Sequence, residues 1–258
     1  MRYWLIAIKN SIPPKWVVVL APFGALVVAF FIWFLFGSLF FQPPSAKQLR
    51  HQAELEQLQP RTLQGDHKAQ YRAGVILREG LAGEKNSAEA AKLFQTAAKK
   101  GHIKSQYALG KLFADGTGGR QDFVAAAKWF RAAAGFGRHR EAQFELANLY
   151  FSGRGVGHDY TAAVEWFRRA AMRGHAGAQF VMASMFEKGW GVNRDLAEAF
   201  AWYALAAKHP SRVRRHQPEA DPAGEFKRMT DSLSRLHLKR GKERLRVLNR
   251  AIKKTVQK

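Results

Sequence analysis

The side chains with the strongest claim to chemistry in this sequence are histidines and one glycine-rich loop. His102 and His175 stand at equivalent turns of an internal repeat, with His139 next to that register. Imidazole titrates near neutral pH and ligates metals, so such a series raises proton transfer or metal binding as possibilities. None of the three has a second histidine or a carboxylate at a spacing that would place two ligands on one helix face. Gly116-Thr117-Gly118-Gly119-Arg120 resembles a phosphate-cradling loop, but no Walker pattern, G-x-S-x-G elbow or H-E-x-x-H pair is present. The chain has no cysteine, which excludes a disulfide framework, a thiol nucleophile and a cysteine zinc site. The expectation is no catalytic residue, no metal and no cofactor, with the histidines and glycines serving turns. Charge is left as the means of recognition.

The 258 residues carry a formal charge of +22, unevenly spread. Residues 1–15 hold +3, 16–41 none, 42–65 +1, 66–209 +8 and 210–258 +10. An acidic or anionic neighbour is expected, above all near the C-terminus.

The elements that must position these charges follow from a period of 36 or 37 residues between 66 and 209. Gln70, Gln106, Gln143 and Gln179 recur at intervals of 36, 37 and 36, as do Gly80, Gly116, Gly153 and Gly189. The copies run 66–102, 103–138, 139–175 and 176–209. Apolar spacing within each predicts two helices separated by the glycine turn. Asn86, Asp122, Asp159 and Asp195 precede the second helix as N-caps, and Glu89 and Glu198 complete capping-box patterns in copies one and four. Phe94, Phe130, Phe167 and Tyr203 supply one large ring per copy, and Gly74, Gly110, Ala147 and Ala183 let the helices come close. An isolated pair cannot bury such a face, so the copies must stack.

The run from Ala142 to His175, A-Q-F-x-L-A-x-L-Y-x-x-G-x-G-V-x-x-D-x-x-x-A-x-x-W-F-x-x-A-A-x-x-G-H, resembles the Sel-one-like repeat (SLR) family, relatives of tetratricopeptide repeats. The resemblance covers residues 66 to about 209. It implies an all-α fold, a right-handed α-solenoid of four helix-turn-helix repeats, and a usual role in binding other proteins, often in bacterial envelope, secretion or signalling assemblies. Copy one departs from the pattern at Leu81-Ala82-Gly83, and copy four ends at Pro210.

Positions common to all copies are explained by packing; those that vary are free for function. On the first helix the variable stripe starts at 68, 72, 75 and 79, one helical face. Its polar members give the expected partner-binding groove: Lys68, Arg72, Lys104, Lys111, Glu141, Glu145, Asn148 and Lys188. Residues 42–65 read as a linker or leading helix, and 210–224 as a basic, proline-containing loop. Residues 225–258 read as capping helices, with apolar stripes Phe226, Met229, Leu233, Leu236 and Leu245, Leu248, Ile252, Val256 separated near Gly241. The face opposite carries Arg235, Lys239, Arg240, Lys242, Arg244, Arg246, Arg250, Lys253 and Lys254, suited to anionic lipid or an acidic partner protein.

Trp16 to Phe41 is a 26-residue stretch without a charge, preceded by residues 1–15 as a basic flank. It is long enough for a hydrocarbon core of about 30 Å and reads as one uncleaved transmembrane helix. Arg2, Lys9 and Lys15 before it favour a cytoplasmic N-terminus, placing the solenoid in the periplasm of a bacterial inner membrane. The expected function is a non-enzymatic, membrane-anchored scaffold. Alternatives are a peptidoglycan-binding or β-lactam-handling envelope protein, or a cytoplasmic-facing adaptor on anionic lipid or nucleic acid. Periplasmic topology disfavours nucleic acid, and the missing cysteines weaken any borrowing of lactam chemistry from cysteine-rich relatives.

Overall fold

The structure, a computed structural model, describes residues 43–135 and 139–257. The predicted span at 16–41 lies outside the described residues. Among the described residues no helix is long and apolar enough to cross a membrane. Every regular element described is helical: α1 (Ala46–Leu63), then pairs α2 (His67–Glu79) and α3 (Ser87–Lys99), α4 (Ile103–Asp115) and α5 (Phe123–Gly135), α6 (Arg140–Ser152) and α7 (Tyr160–Met172), α8 (Ala176–Lys188) and α9 (Leu196–Ala206). The C-terminal region adds α10 (Pro210–Arg214), α11 (Pro222–Ser232) and α12 (Arg235–Val256). From α2 to α8 each helix packs most extensively on its neighbours in sequence, the one-dimensional arrangement of a solenoid, and α9 packs on α8 and on α12 of the cap.

The repeated residues make this arrangement. Gly80, Gly116, Gly153 and Gly189 end the first helices with φ of 66°, 69°, 67° and 76°, a left-handed conformation that glycine adopts without a Cβ penalty. The second helix is then capped by Asn86, Asp122, Asp159 or Asp195, whose side-chain oxygens accept first-turn amides at 2.8–3.1 Å. The expected capping boxes do not close. The backbone N–H groups that Glu89 and Glu198 would cap, those of Asn86 and Asp195, already donate to Leu77 and Phe186 carbonyls of the preceding helix. Glu89 instead pairs with Lys92, and Glu198 with Arg244.

Each ring lies against a small residue on the partner helix. Phe94, Phe130, Phe167 and Tyr203 are at most 2% exposed. A Cβ on Gly74 would stand 2.6 Å from Phe94, and one on Gly110 2.7 Å from Phe130. Gln70, Gln106, Gln143 and Gln179 each donate Nε2–H to a carbonyl of the preceding helix, Thr62, Ala98, Ala134 or Ala171, at 3.1–3.2 Å. These bonds join one pair to the next. Gly155 and Gly191 do the same at the turns, where their backbones press on Phe123 and Tyr160.

Further helices flank the stack at both ends. Residues 46–63 form a helix rather than a linker; Gln52 donates to the Ala82 carbonyl at 2.8 Å, and Glu54 takes a two-point bond from Arg72. At the other end the expected 210–224 loop is partly helical, because Pro210 and Pro222 sit in the first turns of α10 and α11 and Val213 is fully buried. The expected break near Gly241 is also displaced. α12 runs straight through Gly241, and the chain breaks at Leu233-Ser234. Gly241 is a contact residue: a Cβ there would stand 2.6 Å from the Phe200 ring. Leu248 is buried and Phe226, Met229, Leu233, Leu238, Leu245 and Ile252 pack in the same core, whereas Leu236 and Val256 are exposed.

The glycine turns give a paired test. Gly155 has φ +68° and a Cβ there would fall 2.2 Å from the Phe123 carbonyl carbon, while Gly157 faces open space. Gly155→Ala is expected to destabilise by about 1–3 kcal/mol or more and to lower the thermal midpoint of the full chain. Gly157→Ala should leave it within about 0.5 kcal/mol; thermal melts followed by helical circular dichroism compare the two.

Candidate functional site

The histidines are accounted for by helix starts. His139 and His175 accept the Ala142 and Ala178 amides on Nδ1 at 3.3 and 3.0 Å, and His102 Nδ1 meets Ser105 Oγ at 2.8 Å. His139 thus holds the same N-cap position as the other two rather than a neighbouring one. Each ring lies on an aromatic residue of the preceding first helix: His102 on Tyr71, His139 on Tyr107 and His175 on Phe144, with centroids 5.2, 4.7 and 4.3 Å apart. His216, just beyond α10, extends this row, 4.6 Å from His175 and 5.0 Å from Phe144. Burial pushes all four imidazoles below their usual pKa, His175 to about 3 with a further contribution from His216. Among the described residues no group of three or more His, Asp or Glu side chains is arranged to hold a metal ion.

The first helices form a wall, and internal pairing divides its predicted residues. Arg72 is held by Glu54 of α1 at 2.6 and 2.8 Å, which keeps that carboxyl at about 2. Lys111 lies 3.4 Å from Asp115 and 3.6 Å from Glu145 of the next copy. Glu141 is paired with Arg140 at 2.9 Å. Asn148 is half-buried, its carbonyl accepting from Ser152. Lys188 sits 4.4 Å over the Trp190 ring. Lys68 and Lys104 are exposed and make no ion pair among the described residues.

The structure brings Lys68 and Lys104 together at the edge of one cleft of about 740 Å³. His67, Tyr71, Lys100 and His102 line it too. The sequence stripe misses these four because Tyr71 and His102 are repeat positions and Lys100 belongs to a turn. The signal available was the basic run Lys99-Lys100 beside Lys104.

On the cap, Arg235, Lys239, Lys242, Arg246, Arg250 and Lys253 are exposed and recur at helical intervals, one stripe about 27 Å long at 1.5 Å per residue. Arg240 and Arg244 leave this face. They pair with Asp195, at 3.8 Å, and with Glu198, both at the start of α9, and so fasten α12 to the last repeat.

A repeat with this register, cap chemistry and ring-on-glycine packing is matched by the Sel1 repeat family model over residues 67–102, 103–134, 140–175 and 176–211. The chain belongs to the Sel1 repeat family. No curated protein matches it. It is similar to the solved structure of a protective antigen of uropathogenic Escherichia coli displaying an SLR fold, with 35% identity and a TM-score of 0.58. That match covers 60% of this chain and 33% of the antigen. A Sel1 repeat protein from Oxalobacter formigenes gives 33% identity and a TM-score of 0.53, over 56% of this chain and 59% of that one. Sel1 repeat proteins are in general protein-interaction scaffolds.

The capping histidines make the solenoid acid-sensitive. Their folded pKa values lie below the unfolded value of 6.5, so the unfolded state binds more protons as pH falls. Stability is complete above about pH 6.5 and declines below it, by at most about 1.4 kcal/mol per pH unit for each histidine. His175→Asn keeps a cap acceptor without titrating. It is expected to flatten the fall in thermal midpoint between pH 6.5 and 4.5, above the range in which the lowered carboxylates Glu54 and Asp66 titrate; an unchanged slope contradicts this assignment.

Proposed function

We propose that this Sel1 repeat chain is a membrane-anchored, non-catalytic scaffold, a subunit or assembly factor of a bacterial envelope complex that holds a partner protein through its first-helix wall and basic cap. One observation carries this reading. The residues common to the four copies are consumed by the fold itself, as caps, turns, carbonyl ties and buried rings, whereas the wall positions that differ between copies present different charges. A wall of common architecture with individual surface residues is suited to recognising an extended or folded protein surface.

Residues 16–41 supply the anchor in this proposal, their length and lack of charge being the support. Arg2, Lys9 and Lys15 favour the N-terminus inside and the solenoid in the periplasm. The six-cation stripe of α12 adds a contact to acidic protein surface or anionic headgroups, worth about 1 kcal/mol per cation near a charged bilayer.

A reporter active only outside the cytoplasm, fused after residue 258 of the full chain in a bacterial host, tests the arrangement. The expected outcome is reporter activity together with retention of the chain in membranes after an alkaline wash. A silent reporter overturns the periplasmic placement, and release by the wash overturns the anchor.

A further inference from the structure

The cleft between the starts of α2 and α4 differs from the rest of the wall in one respect: among the described residues no carboxylate pairs with its lysines. Elsewhere the cations of the first helices meet carboxylates, as Arg72 meets Glu54 and Lys111 meets Asp115 and Glu145. Here Lys68, Lys100 and Lys104 converge with His67, His102 and His139, and none of the described lining residues is acidic; Glu141, 3.5 Å from His139 Nδ1, is paired with Arg140. Asp66, close in sequence, is turned to Arg61 at 2.6 Å and to the amides of Lys68 and Ala69. Lys100 donates to the Gly65 carbonyl at 3.0 Å, which leaves Lys68 and Lys104 as the cleft lysines without a bonded side-chain partner among the described residues. The volume, about 740 Å³, is within the range of ligand clefts, about 300–1,000 Å³.

Cations that a fold concentrates in a concavity without internal partners favour an anionic ligand, because a low-dielectric wall strengthens their field. The walls then select among anions. Ile103 exposes aliphatic surface in the cleft, 37% of its own, so the site has an apolar component beside its charge. Tyr71 is engaged by Phe94 and His102, at 5.8 and 5.2 Å, and is not a free platform for a nucleobase. Among the described residues no arginine fork lines the cleft. We infer that it takes an acidic segment of a partner protein, with carboxylates on Lys68 and Lys104 and an apolar side chain on Ile103. This rests on the scaffold function proposed above and adds to it the chemistry of the partner and the copies that hold it.

The test uses the full chain in zwitterionic detergent and a fluorescent eight-residue peptide of alternating Glu and Leu. Fluorescence anisotropy is expected to show saturable binding that weakens as salt rises, and K68E/K104E is expected to weaken it at least tenfold. Both lysines are exposed, and helical circular dichroism and the thermal midpoint of that variant check that folding is intact. The variant K85E/K128E, at two exposed lysines outside both the cleft and the cap, controls for general attraction to a basic protein and should change affinity less than twofold. The inference is overturned if the peptide does not bind, if K68E/K104E binds it equally, if K85E/K128E loses as much affinity, or if a single-stranded oligonucleotide competes better than unlabelled peptide. Cross-linking of the full chain in native membranes separates the two proposals. A partner captured equally by wild type and K68E/K104E retains the scaffold and overturns the cleft, whereas capture of no protein by wild type removes the scaffold whatever the peptide does.

Discussion

The distance at which two helices of a repeat can approach is the constraint on which the rest of this molecule depends. It is set by a ring on one helix and a small residue on the other, glycine in copies one and two and alanine in copies three and four. Phe94 over Gly74 and Phe130 over Gly110 leave no space for a Cβ, and Phe200 against Gly241 repeats the device where the cap meets the last copy. Close approach lets the capping amide of the second helix reach the end of the first, as in the Asp122 to Phe113 and Asp159 to Tyr150 bonds. Each turn is therefore held at both sides, and the first helices are presented at a regular interval. A wall of evenly spaced helices is what turns single residues, one per copy, into a surface.

That surface is divided by internal pairing. A charge on a repeat wall has neighbours one copy away, and where signs alternate the pairs close within the protein. Lys111 and Glu145 show this, as does Arg72 with Glu54 of the leading helix. The pairs are partly exposed, so each contributes little to stability. Their larger effect is to remove those charges from recognition and to leave Lys68 and Lys104, without an ion pair among the described residues, distinct. At the far end the same logic takes Arg240 and Arg244 into the fold and leaves six cations of α12 outward.

Much of the fold was legible in the sequence because a repeat shows each structural requirement four times. The spacing of Gln106, Gly116, Asp122 and Phe130 located two helices, a turn, a cap and a ring, and the structure places all four in those roles. Single occurrences were harder. Gly241 looked like a helix break, and only packing against Phe200 explains it; Val213 lay in a segment read as loop, yet it fills the end of the core. The capping boxes failed for a reason outside local sequence, since the amides they need are bonded to another helix. The candidate site was legible in part. The stripe rule found Lys68 and Lys104, but it could not show which cations have partners, because pairing with Glu54 or Glu145 depends on neighbouring elements. It also excluded Lys100 and His102 as turn residues, although the turn is what brings them to the cleft.

In the proposed scaffold a partner is held on the first-helix wall and not on the second-helix face. Site-specific photo-cross-linking in native membranes distinguishes the two, with the photoreactive residue placed at Lys104 on the first helix or at Lys128 on the second, both exposed. A discrete protein adduct is expected from position 104 and none from position 128. An adduct formed only from position 128 overturns the placement of the partner on the first-helix wall.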